Sequence, residues 1–133
     1  MKNTKNLLSK LWVFLTVNYI FCDVFSLYHS KFLNEILLGK VDGIEFTESF
    51  LLTFAIIMEI PMLMIVFSII LKEKLNRIIN IIVGVLMMSI QIGSLVTGSN
   101  SLHYIFFSII EICTLIIIIY IAWKWSKLKN FNE

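Results

Sequence analysis

The stretch FAIIMEIPMLMIV, residues 54–66, is apolar apart from one carboxylate, Glu59, and one proline, Pro61. Extended on both sides it becomes an apolar run from about Ser49 to Leu71, enough for the ~20 residues a helix needs to cross a bilayer. A run of this kind, with no alternation and no internal turn signal, reads as a membrane helix, because a barrel strand would be shorter and would alternate. Three further runs share the character: about Leu11 to Tyr28, Ile78 to Thr97, and Leu102 to Trp125. Composition agrees. The chain of 133 residues is 59% hydrophobic and 15% charged, whereas a soluble domain is nearer half apolar and a quarter charged. A chain of this size cannot bury so much apolar surface in one core, so lipid must act as its solvent. With one Pro and five Gly there is no room for a flexible linker. The expected architecture is one all-α domain, an integral membrane four-helix bundle.

The charges give the bundle a direction. Lys2, Lys5 and Lys10 precede the first run, Lys72, Lys74 and Arg77 separate the second from the third, and Lys124, Lys127 and Lys129 close the fourth. Only Lys31 and Lys40 fall on the opposite side. The positive-inside rule then places both termini in the cytoplasm, and Trp12, Trp123 and Trp125 at the same boundary, where indoles favour the headgroup layer. The first run is expected to be retained rather than cleaved as a signal peptide, since Asn18 and Asp23 interrupt its end and no small-x-small site follows. Cys22 and Cys113 lie far apart in apolar runs and read as packing residues. Between the first two spans, KFLNEILLGK places Phe32, Leu33, Ile36 and Leu37 at helical spacing, with Gly39 as a stop. This predicts a short helix on the outer surface, either resting on the membrane or acting as a lid over a cavity. The connection GSNS, residues 98–101, is short enough to make spans three and four antiparallel neighbours.

The polar residues inside the spans are the candidates for function. Glu59 and Glu111 both lie about ten residues from the outer end, near mid-membrane at 1.5 Å per residue, and Asn18 lies at a similar level. Asp23 and Gln91 fall in the outer third, while the inner third offers no equivalent. Helical periodicity gathers Asn18, Tyr19, Cys22, Asp23 and Ser26 on one arc of span one, Gly84, Met88, Gln91 and Leu95 on one face of span three, and Tyr104, Ser108, Glu111 and Leu115 on one stripe of span four, with Thr114 beside it. An interior polar cluster with its wet end outward follows. An ionised carboxylate at mid-membrane costs roughly 2.5–3.5 kcal/mol on insertion scales, and neutralising an ordinary glutamate at pH 7 costs about 3.7 kcal/mol. The costs are similar, so pairing decides. No Lys or Arg lies at the depth of these acids, leaving only His103, at the outer mouth, to serve Asp23. The acids are therefore expected either to be neutral and hydrogen-bonded or to hold a proton or cation that comes and goes. Pro61 cannot donate to the carbonyl of Ile57, which predicts a bend in span two.

The segments LWVFLTVNYIFCD, MEIPM, QIGS and YIFFSIIE give the chain, from about Leu11 to Trp125, a resemblance to a family of small bacterial four-span membrane proteins known only as a domain of unknown function. It is also loosely similar to DoxX-like membrane proteins. The resemblance implies a helical bundle in the bacterial cytoplasmic membrane and no known reaction, and its motifs fall on Asn18, Asp23, Glu59, Pro61, Gln91 and Glu111. DoxX-like proteins look like accessory subunits of quinone-linked membrane oxidoreductases, but no redox motif here carries that role over.

Function classes can be weighed on these residues. For an enzyme there is no nucleophile–base set and no phosphate loop, and His29 and His103 lack the Glu-x-x-His spacing of a di-iron site. No catalytic residue, metal or cofactor is therefore assigned, and nothing suggests nucleic acid. The leading expectation is a structural or accessory protein of a membrane system, in which the polar cluster specifies helix arrangement for a membrane partner protein. The alternative is proton-linked or small-amphiphile binding or transport at a Glu59/Glu111 cluster, with Asn18, Asp23, Gln91, His103 and Tyr104 around it. In span three, Ser89, Gly93 and Thr97 form a small-x-x-x-small row facing away from Gln91. It suits a homodimer face or ordinary packing.

Overall fold

The computed structural model describes residues 2–98 and 100–129, so Ser99 of the expected tight connection lies outside the described residues. In chain order the elements are helix α1 (Lys2–Leu27), helix α2 (Ser30–Leu37), strands β1 (Lys40–Val41) and β2 (Ile44–Glu45), and helices α3 (Glu48–Ile70), α4 (Glu73–Thr97) and α5 (Leu102–Lys129). Helices α1, α3, α4 and α5 are each long and apolar enough to cross a bilayer. Two of them begin earlier than apolarity alone marks. Hydropathy reports what can enter hydrocarbon, whereas helical hydrogen bonding continues through the charged turns that flank it.

Helix α1 is the hub. It packs along both α3 and α5, α4 packs along α5, and α3 and α4 touch more lightly. The core runs along Leu8, Trp12, Leu15 and Tyr19 of α1, and is closed by Met64, Met87, Leu115, Ile118 and Trp125 from the other spans. Most Leu, Ile, Val and Phe side chains of α3, α4 and α5 point outward, a surface that only lipid solvates without penalty. Gly84 lets α4 approach α5 closely, since a Cβ there would stand 2.7 Å from Cγ1 of Ile119. Trp12 and Trp125, expected in a headgroup belt, are instead buried in this core, and only Trp123 is exposed. A belt is inferred from depth along the helix, and depth says nothing about which way the indole points.

The end of the bundle that carries both termini is held by a buried polar network. Trp12 Nε1 donates to Asn80 Oδ1 at 2.7 Å, and Asn80 Nδ2 donates to Asn76 Oδ1 at 2.6 Å and to the Asn76 carbonyl at 2.8 Å. Asn76 Nδ2 in turn donates to the Ser68 carbonyl at 2.6 Å, while Ser9 Oγ donates to the Ile65 carbonyl at 2.8 Å. The last carbonyls of a helix have no partner within it. Here Asn76 takes that of Ser68, and the Lys5 ammonium reaches those of Ile69 and Leu71, a cation placed at the negative end of the α3 dipole. The expectation that this end of the spans lacks polar groups is thus corrected. Asn76 looks from the sequence like the flank of a charged loop and Asn80 like the margin of the third run, but the two-residue turn between α3 and α4 folds both inward.

At the opposite end, the segment between α1 and α3 is more structured than a single helix. Helix α2 stops at Gly39, whose φ of 72° suits a residue without Cβ, and whose N–H donates to the Ile36 carbonyl at 2.9 Å. Strands β1 and β2 pair antiparallel, Lys40 with Glu45 and Val41 with Ile44. Between them Asp42 and Gly43 both have positive φ, as the two-residue Asp-Gly turn requires. Lys40 Nζ and Glu45 Oε1 form an ion pair at 2.9 Å on the exposed side. Helix α3 then starts from Thr47, whose Oγ1 accepts from the Phe50 N–H at 3.2 Å, a Thr N-cap.

Candidate functional site

The polar arcs of α1, α4 and α5 meet in the interior. Glu111 is 1% exposed, Ser108 is fully buried, and Gln91, Thr114, Tyr19 and Cys22 are buried around them. Gln91 Nε2 donates to Ser108 Oγ at 2.8 Å, joining α4 to α5. Tyr104 and Ser94 join their hydroxyls in a short hydrogen bond one turn nearer the hairpin. Glu111 lies within electrostatic reach of Tyr19, Cys22, Asp23 and Tyr104. Yet Glu111 Oε1 and the Tyr19 hydroxyl, both buried, have no hydrogen-bond partner among the described residues.

Not every candidate joins this group. Asn18 is half-buried and donates to the Phe14 carbonyl of its own helix at 3.0 Å. Asp23 is exposed at the edge of the arc. His103 is bound by hydroxyls rather than by Asp23, its Nε2 lying 3.3 Å from Ser26 Oγ and 3.2 Å from Ser101 Oγ. Glu59 is exposed on α3, apart from Glu111, which is enclosed by α1, α4 and α5. The two acids therefore do not form one cluster. The cause is angular. Pro61, Met64 and Ser68 turn inward, and a residue two positions before Pro61 is rotated by about 200° from it. Helix α3 runs unbroken through Pro61.

Above Tyr104 a cavity of about 290 Å3 opens at the hairpin end. Helix α2 and the hairpin make one wall with Phe32, Glu35, Val41 and Ile44. Phe46, just before α3, and Phe50 in its first turn join them, with His29 at the start of α2 and Ser26, Ser94, His103 and Tyr104 from the ends of α1, α4 and α5. Phe46 and Phe50 stack at 5.3 Å between ring centroids, and His29 and His103 stand 6.3 Å apart. Phe32, Val41, Ile44, Phe46 and Phe50 give the lining its apolar part, and the other side chains are polar, Lys31, Glu35 and Asp42 among them; a small-molecule site combines both kinds of group. Tyr104 belongs to both regions, lining the cavity and reaching Glu111 electrostatically. Among the described residues no three His, Cys, Asp or Glu side chains gather as a metal set. The roles of His29 and Phe46 in this wall are not legible from periodicity, because they lie outside the spans, and Phe50 sits in the first turn of α3, which is apolar all round.

Four apolar helices packed around one core, with orphaned polar atoms in its middle, define a small helical bundle of the membrane-spanning class. Within that class the chain belongs to a family of unknown function, DUF6326, whose profile matches residues 1–131. No curated protein and no solved structure gives a match.

Proposed function

We propose that this protein binds a small amphiphile in the cavity at the hairpin end, with the head group directed toward Tyr104 and Glu111. One contrast carries the reading. In the network at the terminal end, every polar atom of Asn76 and Asn80 is hydrogen-bonded, as expected of a cluster that only specifies packing, although Arg77 Nε beside it is buried without a partner among the described residues. Beneath the cavity, Glu111 Oε1 and the Tyr19 hydroxyl are buried and unpaired. A buried acceptor left without a donor costs about 1–3 kcal/mol, a cost that a ligand bearing N–H or O–H donors removes. The aromatic wall of Phe32, Phe46 and Phe50 favours a head group that is also cationic, through cation–π attraction, and at the rim the carboxylates of Glu35 and Asp42 outnumber the one ammonium, Lys31, on the path to it. A primary amine on an apolar tail meets all of these conditions.

Proton linkage is the second reading. A carboxyl with a free oxygen and no Lys or Arg at its depth can exchange its proton as the head group arrives or leaves. For orientation, the basic residues favour both termini in the cytoplasm of a bacterial cell, so that the cavity opens outward. The test is binding of dodecylamine, dodecanol, dodecanoate and decylubiquinone to the purified protein in lipid nanodiscs, followed by quenching of intrinsic Trp and Tyr fluorescence. Preference for the amine, lost in Glu111→Gln and Tyr104→Phe, supports the proposal. Preference for the quinone favours the DoxX-like accessory role instead. No saturable binding by any of the four returns the chain to a structural or accessory role.

A further inference from the structure

Helix α3 is the least enclosed of the four spans, with 11% of its apolar window buried against 39% in α1 and 33% in α5. On its open side Leu52, Ala55, Glu59, Met62, Val66 and Ile69 are all exposed and follow one another at alternating steps of three and four residues. That is the a/d rhythm of a helix seam. Glu59 occupies the middle of it and has no partner among the described residues. We infer that this stripe is the contact face of a homodimer, in which a second copy lays its α3 against this one about a two-fold axis along the membrane normal, and the two Glu59 carboxyls meet at the centre.

Three physical arguments favour a second copy over lipid at this face. A carboxyl facing hydrocarbon is unfavourable, and such residues normally face protein or water. A carboxylic acid carries one donor and one acceptor, so two of them at one depth satisfy each other. Copies inserted in the same direction and related by a two-fold axis along the normal necessarily present the same residue at the same depth, an isologous contact. No Lys or Arg of this chain lies at that level to pair with Glu59 in any other arrangement. Ala55, one turn away, lets the two backbones come close. A single polar residue at a central a position also fixes register and copy number. The rival row on α4 has no such need. Ser89 and Thr97 are exposed, but their hydroxyls already donate to the Val85 and Gly93 carbonyls at 2.9 Å.

The experiment uses the full chain in lipid vesicles with the exposed Cys113 changed to Ser. Leu52→Cys and Val66→Cys, oxidised with copper phenanthroline, are expected to give disulfide-linked dimers, while Gly93→Cys stays monomeric. Energy transfer between labelled copies, diluted with lipid, is expected to show that Glu59→Val raises the dimer dissociation constant by a factor of about three to ten. Glu59→Gln, whose amide is also donor and acceptor, should keep it near the parent value. Because Glu59 lies outside the core, helicity and thermal stability of the monomer should not change in either variant. Cross-linking through Gly93 with none through α3, energy transfer no greater than random at every dilution, or an unchanged dissociation constant in Glu59→Val would each overturn the inference.

Discussion

The Trp12 indole and the Asn80 carboxamide, both fully buried, are joined by a 2.7 Å hydrogen bond from α1 to α4, across the junction of three helices. Asn80 also receives the Ser68 hydroxyl at 3.4 Å and donates twice to Asn76. Asn80→Leu therefore strips partners from an indole N–H, an amide oxygen and a backbone carbonyl at once. The expected loss is about 2 kcal/mol, from buried groups left unpaired, read as a lowered midpoint in thermal unfolding followed by circular dichroism in detergent. Trp12→Phe, which leaves Asn80 Oδ1 with Ser68, should cost less, apart from the lost indole volume.

Glu111 should respond in the opposite way. It is as buried as Asn80 but makes no compensating bond at Oε1. Replacing an unsatisfied polar side chain with an apolar one of similar volume is neutral or stabilising. Glu111→Leu is expected to leave unfolding unchanged or improved by up to about 1 kcal/mol, while abolishing amine binding. A variant that is more stable yet inactive is the signature of a site kept for function. Loss of the fold in Glu111→Leu would show instead that the carboxyl is structural.

The same contrast explains what the sequence could and could not reveal. The stripes Gly84–Gln91 and Tyr104–Ser108–Glu111–Leu115 were legible because polar and small residues interrupt an apolar background, and helical spacing then fixes their face. Helix α3 offers no such relief. It is apolar all round, so nothing but packing tells which side faces in, and a carboxylate such as Glu59 reads as interior from the sequence although it faces out. Asn76 and Asn80 were hidden by neighbouring Lys and Arg, which made a buried network look like a solvated turn. The hairpin was carried by Asp42-Gly43, a strong local signal overshadowed by the helical pattern just before it. The cavity belongs to none of these segments alone. It arises where α2, the hairpin and four helix ends converge, a relation that periodicity does not encode.

Close contact between α4 and α5 makes a third prediction. Alanine is favoured over glycine in a helix by roughly 1 kcal/mol, but at Gly84 the new Cβ would meet Ile119 Cγ1 at 2.7 Å, and overpacking costs about 1–3 kcal/mol. Gly84→Ala should therefore be mildly destabilising on balance, and Gly84→Leu should separate the pair. Truncating the opposing side chain makes room, so the double variant Gly84→Ala/Ile119→Ala should be more stable than the sum of the single effects predicts. Additive behaviour in a double-mutant cycle, with thermal unfolding as readout, would contradict the packing described.

Gly43, with φ of 81° and open space where a Cβ would stand, provides a test of the cavity wall that leaves the bundle alone. The left-handed region costs an ordinary residue roughly 1–2 kcal/mol, and no clash adds to it, so Gly43→Ala should strain only the turn between Lys40–Val41 and Ile44–Glu45. Global unfolding should then stay near the parent midpoint, because no core side chain comes from this hairpin. Amide hydrogen exchange should accelerate at Phe46, whose N–H donates to the Gly39 carbonyl at 2.9 Å, and dodecylamine should bind about tenfold more weakly if the hairpin's loss matches 1.4 kcal/mol. Faster exchange with unchanged amine affinity would mean that Val41 and Ile44 line the cavity without holding its occupant, and would move the binding determinants onto Tyr104 and the helix ends.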